Sequence, residues 1–133
     1  MAGVALAQAA LDEAVQYTKN RKAGKTTLSN MQSVRFDLAD MYSKIEACRW
    51  MVYHGAHISK EDQSMFQREA AACKIFIQPL VSQVIETSFR LHGCYGYTKD
   101  FKIERLYRAQ PGNIVISVGP EINKAIVGAS LVK

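Results

Sequence analysis

The sequence predicts an all-α fold, an up-down four-helix bundle formed by one domain over residues 1–133. Apolar residues recur at alternating steps of three and four through most of the chain, which keeps them on one face of a helix. Two of these patterns run about 30 residues each, roughly 45 Å at ~1.5 Å per residue, so they can pair along most of their length as in a bundle. With 48% hydrophobic residues, 22% charged, and only eight glycines and three prolines in 133 residues, the composition is that of one compact domain with a core, not of a disordered chain.

A first helix, about Val4 to Lys22, presents Val4, Ala7, Leu11 and Val15 on one side. It ends in the basic cluster Lys19-Asn20-Arg21-Lys22, with a break at Gly24 and a further lysine at Lys25. A second helix spans Ser29 to about Ile58, where Met31, Val34, Leu38, Met41, Ile45, Cys48 and Val52 share a face while Asp37, Asp40, Lys44 and Arg49 fall largely off it. Within it, Trp50 and Tyr53 are expected in the core or at an interface. A third helix runs from Glu61 to about Leu91 through Phe66, Ala70, Cys73, Ile77, Leu80, Val84 and Leu91. Ile75, Phe76, Val81 and Ile85 make it apolar on other sides too, the mark of a central helix. Ser59-Lys60-Glu61-Asp62 supplies a cap for it, and Pro79 should kink it by removing one backbone donor. Between Gly93 and Gly119 the glycines, Pro111 and short apolar runs predict an ordered loop with one or two helical turns. A last helix starts at Gly119-Pro120-Glu121, since proline suits a first turn and an acid there favours the positive end of the helix dipole. Ile122, Ala125, Ile126 and Ala129 would form its buried side.

Bulk properties exclude several functions. No apolar run reaches the ~20 residues needed to span a bilayer, and the first residues lack the basic start and long apolar stretch of a signal peptide; an intracellular, soluble protein of the cytoplasm or mitochondrial matrix is expected. The net charge of +5 lies on scattered Lys and Arg without a nucleic-acid recognition fold, so no nucleic-acid partner is expected. A local site for an anionic cofactor accounts for the one basic cluster. Cys48, Cys73 and Cys94 have neither disulfide-framework nor zinc spacing and are expected to be buried free thiols. Ala23-Gly24-Lys25-Thr26-Thr27 lacks the first glycine and preceding strand of a phosphate-binding loop. No glutamate has a histidine three residues later, as a di-iron bundle needs. His54 and His57 lack a nearby carboxylate and are expected as surface or packing residues near a helix end, not as metal ligands. There is no Gly-x-Ser-x-Gly elbow.

The most informative stretch is His92-Gly93-Cys94-Tyr95-Gly96-Tyr97-Thr98, which closes the third helical pattern and is followed by Ile103-Glu104-Arg105-Leu106-Tyr107-Arg108. With Ala7-Gln8-Ala9-Ala10-Leu11-Asp12-Glu13-Ala14, Tyr17 and Arg21-Lys22 in the first helix, and Gln32 and Leu38-Ala39-Asp40-Met41 in the second, it resembles the C-terminal helical domain of the acyl-CoA dehydrogenases. The resemblance covers essentially the whole chain. It implies an enzyme with two further domains, usually a tetramer, with FAD between domains and reaching a neighbouring subunit. It implies a carboxylate that removes the α-proton of an acyl-CoA while a hydride passes to the flavin, which an electron-transferring flavoprotein reoxidises. On this resemblance Arg21 would make a charge-assisted contact with the FAD pyrophosphate and Gln32 a polar contact at the adenosine end. The Gly93 turn would let the backbone approach the cofactor. Arg90, Cys94, Gly119 and Glu121 stand at the remaining cofactor-facing positions.

The departures from the family pattern bear on chemistry. The phenylalanine usually found between Arg21 and Gln32 is missing, Arg90 replaces a glutamine, Cys94 replaces the second glycine of a pair, and the Arg-Asp-Ala turn is Arg108-Ala109-Gln110. The usual catalytic glutamate falls on Ser117 without a gap or on Val118 with one, and neither is a base. No catalytic residue and no metal ligand is assigned. Three functions follow as expectations. The first is a C-terminal domain or split subunit of an FAD-dependent acyl-CoA dehydrogenase, inactive alone and not expected to retain FAD by itself, whose partners are its missing domains or further copies of the chain. The second is a non-catalytic assembly module derived from that family, and the third a small-molecule binder using an exposed cleft.

Overall fold

The structure is a computed structural model that describes residues 1–58, 63–115 and 118–132. Its helices are α1 (Ala2–Asn20), α2 (Gln32–Ile58), α3 (Gln63–His92), α4 (Lys102–Val115) and α5 (Pro120–Leu131). A two-residue hairpin, β1 (Lys22–Ala23) and β2 (Thr26–Thr27), separates α1 from a 3-10 turn at Leu28–Asn30. Gly24 occupies the first position of the hairpin loop with φ +63°, a conformation that costs a residue with a Cβ. A second 3-10 turn, Gly93–Tyr97, joins α3 to α4.

α3 packs against all four other helices and α1 lies against α2 and α4, so the helix that is apolar on several sides is indeed the central one. The core joins Val4, Ala7, Leu11 and Ala14 of α1 to Met41, Ile45 and Cys48 of α2, to Ile77, Val81, Val84 and Ile85 of α3, and to Ile103 of α4. Most of these lie on the faces that the spacing predicts. α3 is turned so that its deepest row is Ile77, Val81, Val84, Ile85, Ser88 and His92, and its last two members are polar. Ser88 Oγ donates to the Ala10 carbonyl at 2.7 Å, and Thr18 Oγ to the Ala14 carbonyl at 2.8 Å; both buried hydroxyls are thereby satisfied.

Three expectations need correction. The segment between Gly93 and Gly119, read as a loop with short turns, contains the fourteen-residue helix α4 with Pro111 inside it. The ring removes the donor that would reach Tyr107, and both residues are exposed, so water can satisfy the carbonyl. In α5 the apolar row points outward: Ile122 is 59% and Ile126 39% exposed, and Ala125 and Ala129 are exposed too. α5 instead meets α3 through the row of Asn123, Val127 and Ser130, and the Asn123 amide donates to the Val118 and Gly119 carbonyls at the helix start. Trp50 and Tyr53, expected in the core or at an interface, are outside the core, on the outer side of α2 in edge contact with each other. Of the thiols, Cys48 is buried, Cys73 half-buried and Cys94 exposed.

α3 continues as helix through Pro79, whose ring is on the exposed side. The cap expected at 59–62 and the position of Ser117 lie outside the described residues. No single described helix is long and apolar enough to cross a membrane.

Candidate cofactor-facing end

Up-down connectivity brings the C-termini of α1 and α3 and the N-termini of α2 and α4 to one end of the bundle. Arg21 caps α1 with extended backbone. The Leu28 N–H donates to the Arg21 carbonyl at 2.9 Å, which folds the hairpin back and places Gln32, exposed at the start of α2, at the same end. Arg35 pins the connection, donating from Nε to the Ser29 carbonyl and from its guanidinium to Asn30 Oδ1.

Beneath Arg21 lies an aromatic box. Tyr17, one turn earlier in α1, stacks on His92 with centroids 4.2 Å apart and donates its hydroxyl to the His92 carbonyl at 3.2 Å. Phe101 closes the box edge-on to Tyr17 at 5.6 Å and to His92 at 5.8 Å, and Tyr95 leans on Phe101 at 5.7 Å. The Arg21 guanidinium sits over the Tyr95 ring, 4.9 Å from its centroid. Tyr17, Asn20, Arg21, Tyr95 and Phe101 line a recess of about 320 Å³. Burial raises the Tyr17 phenol above its ordinary pKa, with the Arg21 charge opposing.

His92 is almost fully buried. Its Nδ1 lies 2.7 Å from the Ser88 carbonyl, and since a carbonyl only accepts, Nδ1 carries the proton and Nε2 is the bare nitrogen. Nε2 is buried with no hydrogen-bond partner among the described residues. Protonation would set a charged N–H in an aromatic box with no acceptor, so burial holds the imidazole below its ordinary pKa of 6.5, against the opposing pull of the Ser88 carbonyl and of Glu13. Glu13 itself is engaged by Lys102 at 3.3 Å. The unfolded chain therefore binds the proton first as pH falls, and stability is full above pH ~6.5 and is lost as pH drops through the lowered folded-state value. Between pH 7 and 5 the wild type is expected to lose stability along a steeper slope than His92→Leu, the difference staying below about 1.4 kcal/mol per pH unit. Parallel slopes in denaturant titrations would show that His92 is not held neutral.

The sequence-predicted positions divide between two places. Arg21, Gln32, Arg90, Gly93 and Cys94 share the end just described. Gly93 has φ +58° with open space around it, Cys94 is an exposed free thiol, and Arg90 is exposed two residues before the end of α3. Neither Arg21 nor Arg90 makes a side-chain hydrogen bond or ion pair among the described residues. Gly119 and Glu121 lie elsewhere: Lys74 Nζ donates to the neighbouring Val118 carbonyl at 2.8 Å, and Lys74 precedes Arg90 by sixteen residues, about 24 Å along the helix axis. Gly119 caps α5, with Pro120 and Glu121 in its first turn. Residues 1–3 are close to this second place, since a Cβ on Gly3 would meet Asn113 Nδ2 at 3.0 Å. His92 opens the stretch that the sequence singles out, but neither it nor Phe101 is marked there as part of a site; a signal that points toward the box is the spacing of Tyr17 and Arg21, four apart on one helix face.

Arg21 and Arg90 thus stand, without side-chain hydrogen bonds or ion pairs among the described residues, at the end of the bundle that carries the positive-φ Gly93 turn. The family model described as the acyl-CoA dehydrogenase C-terminal domain matches residues 1–131, and the chain belongs to that family. It is 34% identical to the 3-(aryl)acrylate reductase of Clostridium sporogenes, covering 96% of this chain and 34% of that protein. It is 29% identical to the caffeyl-CoA reductase-Etf complex subunit CarC of Acetobacterium woodii, covering 98% and 34%. Among solved structures, the butyryl-CoA dehydrogenase of Megasphaera elsdenii superposes with a TM-score of 0.92 at 29% identity, over 98% of this chain and 34% of that one. The chain thus spans about a third of the length of these relatives.

Proposed function

We propose that residues 1–133 form one C-terminal helical domain, or split subunit, of an FAD-dependent acyl-CoA dehydrogenase or reductase, with the Arg21 end contacting the cofactor's pyrophosphate. The observation that carries this reading is the Arg21 donor set: its guanidinium lies over Tyr95 in the turn Gly93–Tyr97 and meets no carboxylate among the described residues, while Arg90 is a second exposed cation near the end of α3. An arginine fork whose donors are unengaged suits a diphosphate. Gln32, at the same end, suits the adenosine side. The residues present therefore fit the phosphate part of the group. FAD, when bound, supplies the hydride acceptor for the α,β-bond of an acyl thioester; this chain's residues at this end bind and orient it, and none is placed to remove a proton from a substrate. Gly119 and Glu121, at the other place, suit contact with a different portion of a cofactor. Further copies of the chain, the remaining dehydrogenase domains and an electron-transferring flavoprotein are the partners this reading implies.

Native mass spectrometry of the protein purified from its own host should show the chain with FAD and flavoprotein sequence beyond this domain. Arg21→Ala should weaken FAD retention about 10–100-fold, the worth of a charge-assisted hydrogen bond. A flavin-free assembly of this chain alone would overturn the reading. It would favour a non-catalytic assembly module, for which the exposed apolar row of α5 and the Trp50–Tyr53 pair supply the surface.

A further inference from the structure

We propose that Tyr95 is a positioning residue of this anion site: its ring holds the Arg21 guanidinium in place, and Phe101 in turn holds the ring. The inference rests on the reading of Arg21 as a phosphate contact and adds a role for a residue outside the expected contacts. An arginine at a helix end has four rotatable side-chain bonds, and ordering them when a ligand arrives opposes binding. Here the guanidinium is already placed over Tyr95 at 4.9 Å, while its N–H donors meet no protein acceptor among the described residues. Contact with an aromatic face spares the donors that a phosphate uses, whereas a carboxylate partner would compete with the phosphate for them.

Tyr95 is 40% exposed and would make a poor support by itself. It leans on Phe101, and Phe101 packs edge-on against Tyr17 and His92. Tyr17 is tied to the His92 carbonyl. A connected set of rings thus runs from the buried imidazole to the surface cation, and it fixes Arg21 relative to the Gly93 turn that follows His92 directly.

Two measurements on the intact chain test this. Ring current from Tyr95 should shift the Arg21 Nε–H proton upfield in NMR spectra; Tyr95→Phe should keep the shift and Tyr95→Leu remove it. In titrations with inorganic pyrophosphate and with ADP, Arg21→Ala should bind far more weakly than wild type. Tyr95→Leu should bind about two- to fivefold more weakly, the worth of an exposed cation–π contact, and Tyr95→Phe as wild type. Tyr95→Leu added to Arg21→Ala should change nothing further, because the ring acts only through the arginine. If Tyr95→Leu binds pyrophosphate as wild type does while Arg21→Ala is impaired, Tyr95 has no positioning role and the Arg21 site stands. If wild type shows no saturable binding, or Arg21→Ala equals wild type, the site itself is wrong and the role of Tyr95 goes with it.

Discussion

Truncating Ile85 to alanine is expected to lower the stability of the chain by about 3–5 kcal/mol, the upper part of the range for buried isoleucines. Ile85 has no solvent exposure and sits in the core cluster contributed by α1, α2, α3 and α4. The size of the loss follows from the position of α3. A helix covered on one side can tilt or slide to close a cavity, but α3 is held by every other helix and by the hydrogen bond that Ser88 Oγ, three residues after Ile85, donates to the Ala10 carbonyl of α1. The lost transfer energy and the uncollapsed cavity therefore add. Against a typical domain stability of about 5–15 kcal/mol, such a loss leaves a marginal fold. Urea titrations should show the midpoint moving with an unchanged slope, and Ile85→Val should cost only about 1 kcal/mol. A loss below ~1.5 kcal/mol for the alanine variant would mean that this face of α3 is not closed over.

Ile85 also marks what the sequence discloses and what it does not. The three long helices are legible because their apolar spacing is helical over many turns, and the central place of α3 follows from its having apolar residues on several sides. α5 misleads for the same reason in reverse. Its apolar row of Ile122 and Ile126 is helically spaced, yet the less exposed row is Asn123, Val127 and Ser130, and the Asn123 amide is satisfied there by the Val118 and Gly119 carbonyls of its own helix start. α4 was hidden by Pro111, which sequence patterns treat as a helix breaker although an exposed helix side tolerates it. At the candidate site, Arg21 and Gly93 are legible through local motifs. The box beneath them is not, since it joins Tyr17, His92 and Phe101, residues brought together only by the packing of three segments. A buried histidine in the deepest row of a helix is invisible to any pattern built on apolar residues.

The two glycines of the turn after α3 show how far local reasoning reaches, and they set the second large expectation. Gly93 is the one that a sequence singles out, at the end of a helical pattern, and it does adopt φ +58°, but a Cβ there would meet open space. Gly93→Ala should therefore cost only the left-handed backbone penalty, about 1–2 kcal/mol. Gly96 has an ordinary backbone, and by conformation alone alanine would be welcome. Its surroundings decide otherwise: a Cβ would stand 2.9 Å from the Phe89 carbonyl oxygen, 3.2 Å from His92 Cβ and 3.4 Å from the Phe89 ring. The nearest atom is backbone of α3 and cannot swing aside as a side-chain tip can. Relief requires the turn to move off the helix, which pulls Tyr95 away from Phe101 and weakens the stack on His92. Gly96→Ala is thus expected to cost about 2–3 kcal/mol, as overpacking in a tight site does. It should also weaken pyrophosphate binding, because the Arg21 support moves with the turn. For stability, Gly93→Ala is the control, since it changes the same turn without filling space. Equal stabilities for the two variants would show that the close approach at Gly96 does not hold the turn against α3.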